Sequence, residues 1–199
     1  MQQYVEDNLA TYTEERLQHD LMLLPEWRRE QAMRFKHFEG RRNCTLAYLL
    51  FRHAMNERYP GIADADIPPF AYGEHGKPLL PPPFQDTHFS LTHCHEAVAC
   101  VMASHPCGID VESIGRYRDS VARYAMSDDE LRLIHDSSHP ALAFTRLWTK
   151  KEAYLKAIGT GIQDNMKNLS PEILNAYTIT EEHTGKGYVL SRCLLAPQT

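Results

Sequence analysis

No stretch of this 199-residue sequence approaches the ~20 consecutive apolar residues a membrane-spanning helix needs, so no helical span is expected. The opening residues 1–7 carry no basic-then-apolar leader, and a cytoplasmic protein is expected. The five cysteines, Cys44, Cys94, Cys100, Cys107 and Cys193, form no Cys-x-x-Cys and are odd in number, which argues for reduced thiols over a disulfide framework. His93-Cys94-His95 is the one dense run of soft ligands. Neighbours on an extended chain point to opposite faces, so it does not converge on a zinc ion. Positive charge in bulk is also missing. A net charge of −5 gives no reason to expect nucleic acid or a membrane as partner.

What positive charge there is, is concentrated. Arg28, Arg29, Arg34, Lys36, Arg41 and Arg42 fall within fifteen residues, against Glu30 and Glu39. Such a patch on an acidic chain suits a small polyanion better than a polymer, and a plain solvated helix face is the alternative reading. Hydrophobic content of 43% and charged content of 24% are those of an ordinary globular protein.

Thr13 can cap a helix whose Leu17, Leu21 and Leu24 keep helical spacing up to Pro25. A second helix is predicted over about 25–35. Gly40 is read as a break before a stronger helix over 41–59, with Leu46, Leu49, Leu50, His53 and Met55 on its buried face and Pro60-Gly61 as its stop. Residues 60–87 hold seven prolines and read as loop, with a short strand near 70–72. Strands follow over 89–92 and 97–103, then a turn over 104–108 and a strand over 109–112. Ser127 to Glu130 forms a capping box for a helix to about 134. Pro140 opens a long helix to 158, closed by Gly159. The tail, 177–182 and 188–195, reads as a hairpin. These elements make the fold class α+β.

On the strand over 109–112, Asp110 and Glu112 project from one face while Ile109 and Val111 project from the other. Any half-buried strand shows acids on its wet side, so the pair alone decides nothing. Glu152, on the long helix, adds a third carboxylate. Three acids from two elements suit magnesium, a hard ion taking oxygen ligands at ~2.1 Å. Glu152 and Lys156, four apart, share a helix face, as does any surface pair worth about 0.3–0.5 kcal/mol.

The wider string is less common: Trp148-Thr149-Lys150-Lys151-Glu152-Ala153-Tyr154-Leu155-Lys156-Ala157. With Gly108-Ile109-Asp110-Val111-Glu112 upstream, it resembles the two signatures of the 4′-phosphopantetheinyl transferase family. Gly76-Lys77-Pro78 is similar to that family's Gly-Lys-Pro loop, and Phe89-Ser90-Leu91-Thr92-His93 to its Asn-x-Ser-His strand end. Arg34-Phe35 and Glu39-Gly40-Arg41-Arg42 resemble its basic N-terminal region. The likeness spans about residues 28–160. Ser90 and Thr92 depart from the family's Asn and Ser, Val111 offers no further acid, Gln31 stands where a lysine is common, and Ala47-Tyr48 replaces a Gly-acid pair.

The resemblance implies an enzyme that moves 4′-phosphopantetheine from coenzyme A onto a serine of an apo acyl or peptidyl carrier protein, releasing 3′,5′-adenosine bisphosphate. It implies magnesium on Asp110, Glu112 and Glu152, and Lys156 on the phosphates. Either Glu152 or a metal-bound water would take the serine proton. Arg28, Arg41, Arg42 and His93 would recognise the 3′-phosphate, Thr92 another phosphate, and Gly76, Lys77 and Pro78 the adenine. The chain length suits the family's single-chain, pseudo-twofold branch: two similar half-domains, about 1–105 and 106–199, each a small mostly antiparallel sheet with helices, enclosing the site in one monomer. A noncatalytic coenzyme A or carrier-protein binding module and a magnesium-dependent nuclease or nucleotide hydrolase are the alternatives.

Overall fold

The computed structural model describes residues 1–161 and 166–195, so the expected second half, 106–199, lies partly outside the described residues. Two three-stranded antiparallel sheets form the centre. In the first, Gln2–Glu6 (β1) and His88–His93 (β4) flank Val98–Ala103 (β5). In the second, Cys107–Ser113 (β6) and Thr178–His183 (β7) flank Tyr188–Leu194 (β8). A two-residue pair, Ala71–Tyr72 (β2) and Pro78–Leu79 (β3), closes the Gly73–Lys77 turn within the proline-rich segment. The fold is α+β.

β5 explains how the sheets stack. Its alternate residues Val98, Cys100 and Met102 join the core under the N-terminal helices Glu14–Met22 (α1), Glu26–Met33 (α2) and Phe38–Arg58 (α3), where Leu17, Tyr48, Phe51 and Met55 are fully buried. The intervening Ala99, Val101 and Ala103 meet Cys107, Ile109, Val111, Tyr188 and Leu190 of the second sheet. A strand buried on both faces loses the polar half of its alternation, which is why Val98–Ala103 is apolar throughout.

The other face of β6 and β8 carries Pro140–Ile158 (α6), beside Asp119–Ala125 (α4), Asp128–His135 (α5) and Pro171–Tyr177 (α7). The contact is close because the strand has glycine where the helix crosses. A Cβ on Gly108 would stand 2.0 Å from the Ala153 carbonyl oxygen. Thr149 of α6 and Ser191 of β8 share a hydroxyl hydrogen bond of 2.8 Å across the same layer. Gly159 ends α6 in the left-handed region at φ +81°.

β4 and β6 run side by side at the junction of the sheets without a backbone ladder among the described residues. Side chains replace it. Ser90 Oγ accepts from Ile109 N–H, and Thr92 Oγ1 from Val111 N–H, both at 3.3 Å.

The caps are where the sequence places them. Thr13 accepts from Arg16 N–H, and Ser127 and Glu130 form the reciprocal capping box. Several expectations need correction. Gly40 does not break the chain: it lies in the first turn of α3, and Phe35 fills the space its Cβ would take. His53 is exposed, not buried; Leu46 and Met55 are buried as expected, and Cys44, Tyr48 and Phe51 complete the inner face. Gly108 belongs to β6, not to the turn before it. β1, α4 and α7 carry little periodic signal and were not expected. All five cysteines are free and buried. No helix among the described residues is long and apolar enough to cross a membrane.

Candidate active site at the seam of the two sheets

Asp110 and Glu112 do share a face of β6, as a period of two requires, but that face is not wet. It lies under α6, and Asp110 is only 6% exposed. From α6, Glu152 and Lys156 come down onto it. Lys156 Nζ donates to Asp110 Oδ1 at 2.6 Å and to Thr92 Oγ1 at 3.2 Å, and Thr92 donates to the same Asp110 oxygen at 3.2 Å. Asp110 Oδ2 and Glu152 Oε1 are buried with no hydrogen-bond partner. Glu112 is half-buried, its Oε1 accepting from Ser113 N–H at 2.8 Å, with Arg116 3.7 Å away.

The electrostatics follow from burial. Desolvation raises the Asp110 carboxyl pKa despite the opposing Lys156 ammonium. Glu112 is raised for the same reason, with a further push from neighbouring acids. Glu152 is pushed up to about 7, mainly by burial, then by the Asp110 charge, with Lys156 opposing. Unpartnered buried carboxylate oxygens are costly unless something supplies positive charge. An all-oxygen, acid-rich donor set fits a hard divalent cation. Among the described residues, no three such side chains stand close enough to hold an ion as they are, and Lys156 is seated on Asp110.

Beside Lys156 opens a cavity of about 200 Å³ whose lining includes Gly76, Lys77, Pro78, Ser90, Gly159 and Gly161. Gly76 holds the turn at φ +80°. The Lys77 ammonium is committed elsewhere. It donates to the Ala157 carbonyl at 2.7 Å and to Cys107 O at 3.3 Å, tying the loop to the C-terminal end of α6. The Gly-Lys-Pro loop, the middle of β4 and the motif helix therefore meet at one cavity.

A family model described as the 4′-phosphopantetheinyl transferase superfamily matches residues 106–194, the stretch holding β6 and α6. The chain is 31% identical over 137 residues to the 4′-phosphopantetheinyl transferase Sfp of Bacillus subtilis (strain 168), covering 68% of this chain and 60% of that one. It is 31% identical over 140 residues to the 4′-phosphopantetheinyl transferase gsp of Aneurinibacillus migulanus, covering 63% and 58%. With the 4′-phosphopantetheinyl transferase ffp of Bacillus subtilis, identity is 26% over 185 residues, 85% of this chain and 81% of the relative. Residues 106–194 of the chain belong to the 4′-phosphopantetheinyl transferase superfamily. It spans about three-fifths of the length of the first two relatives.

The basic cluster of residues 28–42 does not form one patch. Arg28 faces inward from α2, 7% exposed. Its guanidinium donates to Gln31 Oε1 at 2.7 Å and Cys44 O at 3.1 Å and lies over the Tyr48 and Phe70 rings. Helical spacing puts Arg28 on the same inner face as Ala32, so it is not brought to the site. Arg41 donates to Lys36 O and stands 3.7 Å from Glu14. Arg42 is buried and donates to Leu9 O and Asn43 Oδ1, while its Nη2 has no partner. It borders a second cavity of about 450 Å³ shared with Leu9, His95, Glu96 and Lys186.

His93 ends β4 exposed by area. Desolvation, and then the nearby Lys156 and Arg42 charges, lowers its pKa. Thr92 departs from the expectation of a phosphate contact. Even-numbered β4 residues turn toward β6, so its hydroxyl is already used by Asp110, Val111 N–H and Lys156. Gly159 and Gly161 were overlooked as lining residues, although a Gly-Thr-Gly directly after the motif helix is the signal for a close approach. So was Lys151, fully buried, whose ammonium binds Glu130 at 2.6 Å, Met166 O at 2.8 Å and Ala125 O at 3.1 Å. It immediately precedes Glu152, and that single helix step turns it about 100° away, toward α5.

Proposed function

We propose that this chain is a magnesium-dependent transferase that moves the 4′-phosphopantetheine group of coenzyme A onto a serine of an apo carrier protein. The observation that carries the reading is the meeting of Asp110, Glu112, Glu152 and Lys156 under the seam, two of the acids with bare buried oxygens, beside the Gly76–Pro78 cavity. We read the seam as the border of two related halves, about 1–105 and 106–199.

In the proposed reaction the serine oxygen forms a bond to the pantetheine-side phosphorus. The bond from that phosphorus to the bridging pyrophosphate oxygen breaks, and 3′,5′-adenosine bisphosphate departs with the electron pair. Glu152 is the candidate acceptor of the serine proton; in the metal-free protein burial and the Asp110 charge raise its pKa to about 7. Lys156 presents a fixed cation where charge gathers on the leaving oxygen. Asp110, Glu112 and Glu152 would hold magnesium, which when bound supplies charge neutralisation on the pyrophosphate. Gly76, Lys77 and Pro78 would form the wall beside the adenine, with His93, Arg41 and Arg42 nearest the 3′-phosphate. The test is to incubate the protein with coenzyme A, magnesium and an apo carrier protein and weigh the carrier. A mass gain of one phosphopantetheine is expected. An unmodified carrier alongside bound coenzyme A would favour a binding protein.

The Lys156–Asp110 pair makes a further expectation. An ammonium now neutralises the carboxylate that the cation would need, so the two compete. Lys156→Ala should tighten magnesium binding in calorimetry while lowering maximal turnover by roughly 10²-fold or more. A rate-against-magnesium curve displaced to higher concentration would contradict this competition.

A further inference from the structure

Four side chains reach β6 across the seam from β4, the loop before it and the turn after it. Lys77 does so at one end, Ser90 and Thr92 in the middle, and Glu96 at the other. Glu96 lies in the tight turn between β4 and β5, where Cys94 N–H donates to Ala97 O at 2.8 Å. Its Oε2 accepts from the Ser113 hydroxyl and from the Cys94 thiol at 3.3 Å. Ser113 is the buried last residue of β6, and its N–H donates to Glu112 Oε1. The run Glu96–Ser113–Glu112 therefore joins a loop of the first sheet to one of the three acids of the second.

We propose that Glu96 is a positioning residue: by holding the Ser113 hydroxyl it fixes the end of β6 so that the Ser113 N–H keeps the Glu112 carboxylate in place beside Asp110. This rests on the reading of Asp110, Glu112 and Glu152 as the acids that hold the metal. A buried serine hydroxyl needs an acceptor, and among the described residues the Ser113 hydroxyl donates to Glu96. Without it Ser113 would rotate or draw in water, and the peptide that orients Glu112 would be free to move with it. Groups that orient a ligating side chain change metal affinity by about 10–100-fold. A plain tie between two sheets would change stability alone.

The two roles separate by measurement on the full chain. Magnesium binding is followed by titration calorimetry, transfer rate against magnesium concentration, KM for coenzyme A and melting temperature, for Glu96→Ala, Glu96→Gln, Ser113→Ala and Ser113→Thr. Glu96→Ala and Ser113→Ala should each weaken magnesium binding about tenfold, at the low end of that range, with KM for coenzyme A unchanged. Ser113→Thr keeps the hydroxyl and should keep wild-type magnesium affinity. Glu96→Gln keeps an acceptor and should lose less than Glu96→Ala. The positioning role is overturned if the alanine variants melt lower yet leave the magnesium isotherm and the rate midpoint unmoved. Wild-type protein that takes up no magnesium would instead sink the metal reading itself, whatever the Glu96 variants do.

Discussion

Glu152→Gln should abolish transfer and at the same time stabilise the metal-free protein at alkaline pH. The first effect follows from removing the proposed proton acceptor together with a charge of the acid cluster, and a loss of roughly 10³-fold or more is expected. The second follows from burial. In the unfolded chain the Glu152 carboxyl titrates near 4.5, whereas in the folded protein burial and the Asp110 charge raise it to about 7. Below 4.5 the group is protonated in both states and costs nothing. Between 4.5 and about 7 the folded state holds the proton more tightly, so stability falls as pH rises through this window. Above 7 the full cost, on the order of 3 kcal/mol, is present. A neutral glutamine never incurs it.

Thermal melts in chelator should therefore show Glu152→Gln several degrees above wild type at pH 8, the gap closing toward pH 5. Magnesium should raise the wild-type melting temperature and narrow the gap from the other side. A variant that melts below wild type at pH 8 would mean that Glu152 is satisfied in the folded protein and is not the strained group described above. Since the unpartnered Glu152 Oε1 is a property of the fold and not of the reaction, this melting result stands apart from the transfer assay.

Much of this site was legible because its residues obey short periods. A strand period of two places Asp110 and Glu112 together, and a helix spacing of four places Glu152 and Lys156 together, before any tertiary contact is known. The caps and stops at Thr13, Ser127, Pro140 and Gly159 are local chemistry, and the structure keeps all of them. What could not be read depends on contacts between distant segments. β1, Gln-Gln-Tyr-Val-Glu, has almost no apolar pattern and exists because β5 offers it an edge. Arg28 is charged, yet its helix turns it into the aromatic core, where Tyr48 and Phe70 cover it. Ser90 and Thr92 look like ligand contacts in sequence, but the register of β4 against β6 spends their hydroxyls on the seam. The expectation of a wet acid face failed for the same reason: the helix that covers β6 lies far along the chain.

Gly108 shows most directly how sequence signature and packing meet, and it gives the largest stability effect expected here. In the Gly-Ile-Asp-Val-Glu string the glycine reads as the end of a turn. In the fold it is a strand residue without a positive φ, so the need is not conformational freedom but room. A Cβ there would lie 2.0 Å from Ala153 O and 2.6 Å from Ala157 N, both backbone atoms of α6, which no side-chain rotation can clear. Gly108→Ala must push α6 off β6. The cost should be about 3 kcal/mol or more, a size reserved for such core overpacking. The displaced helix also carries Glu152 and Lys156 away from Asp110, so any folded fraction should lose the ion pair and the transfer with it. Gly115→Ala is the matched control, because a Cβ at Gly115 meets nothing within 4 Å. Urea denaturation should place Gly115→Ala within about 0.5 kcal/mol of wild type and Gly108→Ala far below it or unfolded. Equal midpoints for Gly108→Ala and wild type would show that α6 is not seated on β6 this closely, and the geometry that unites the three acids and Lys156 would have to be redrawn.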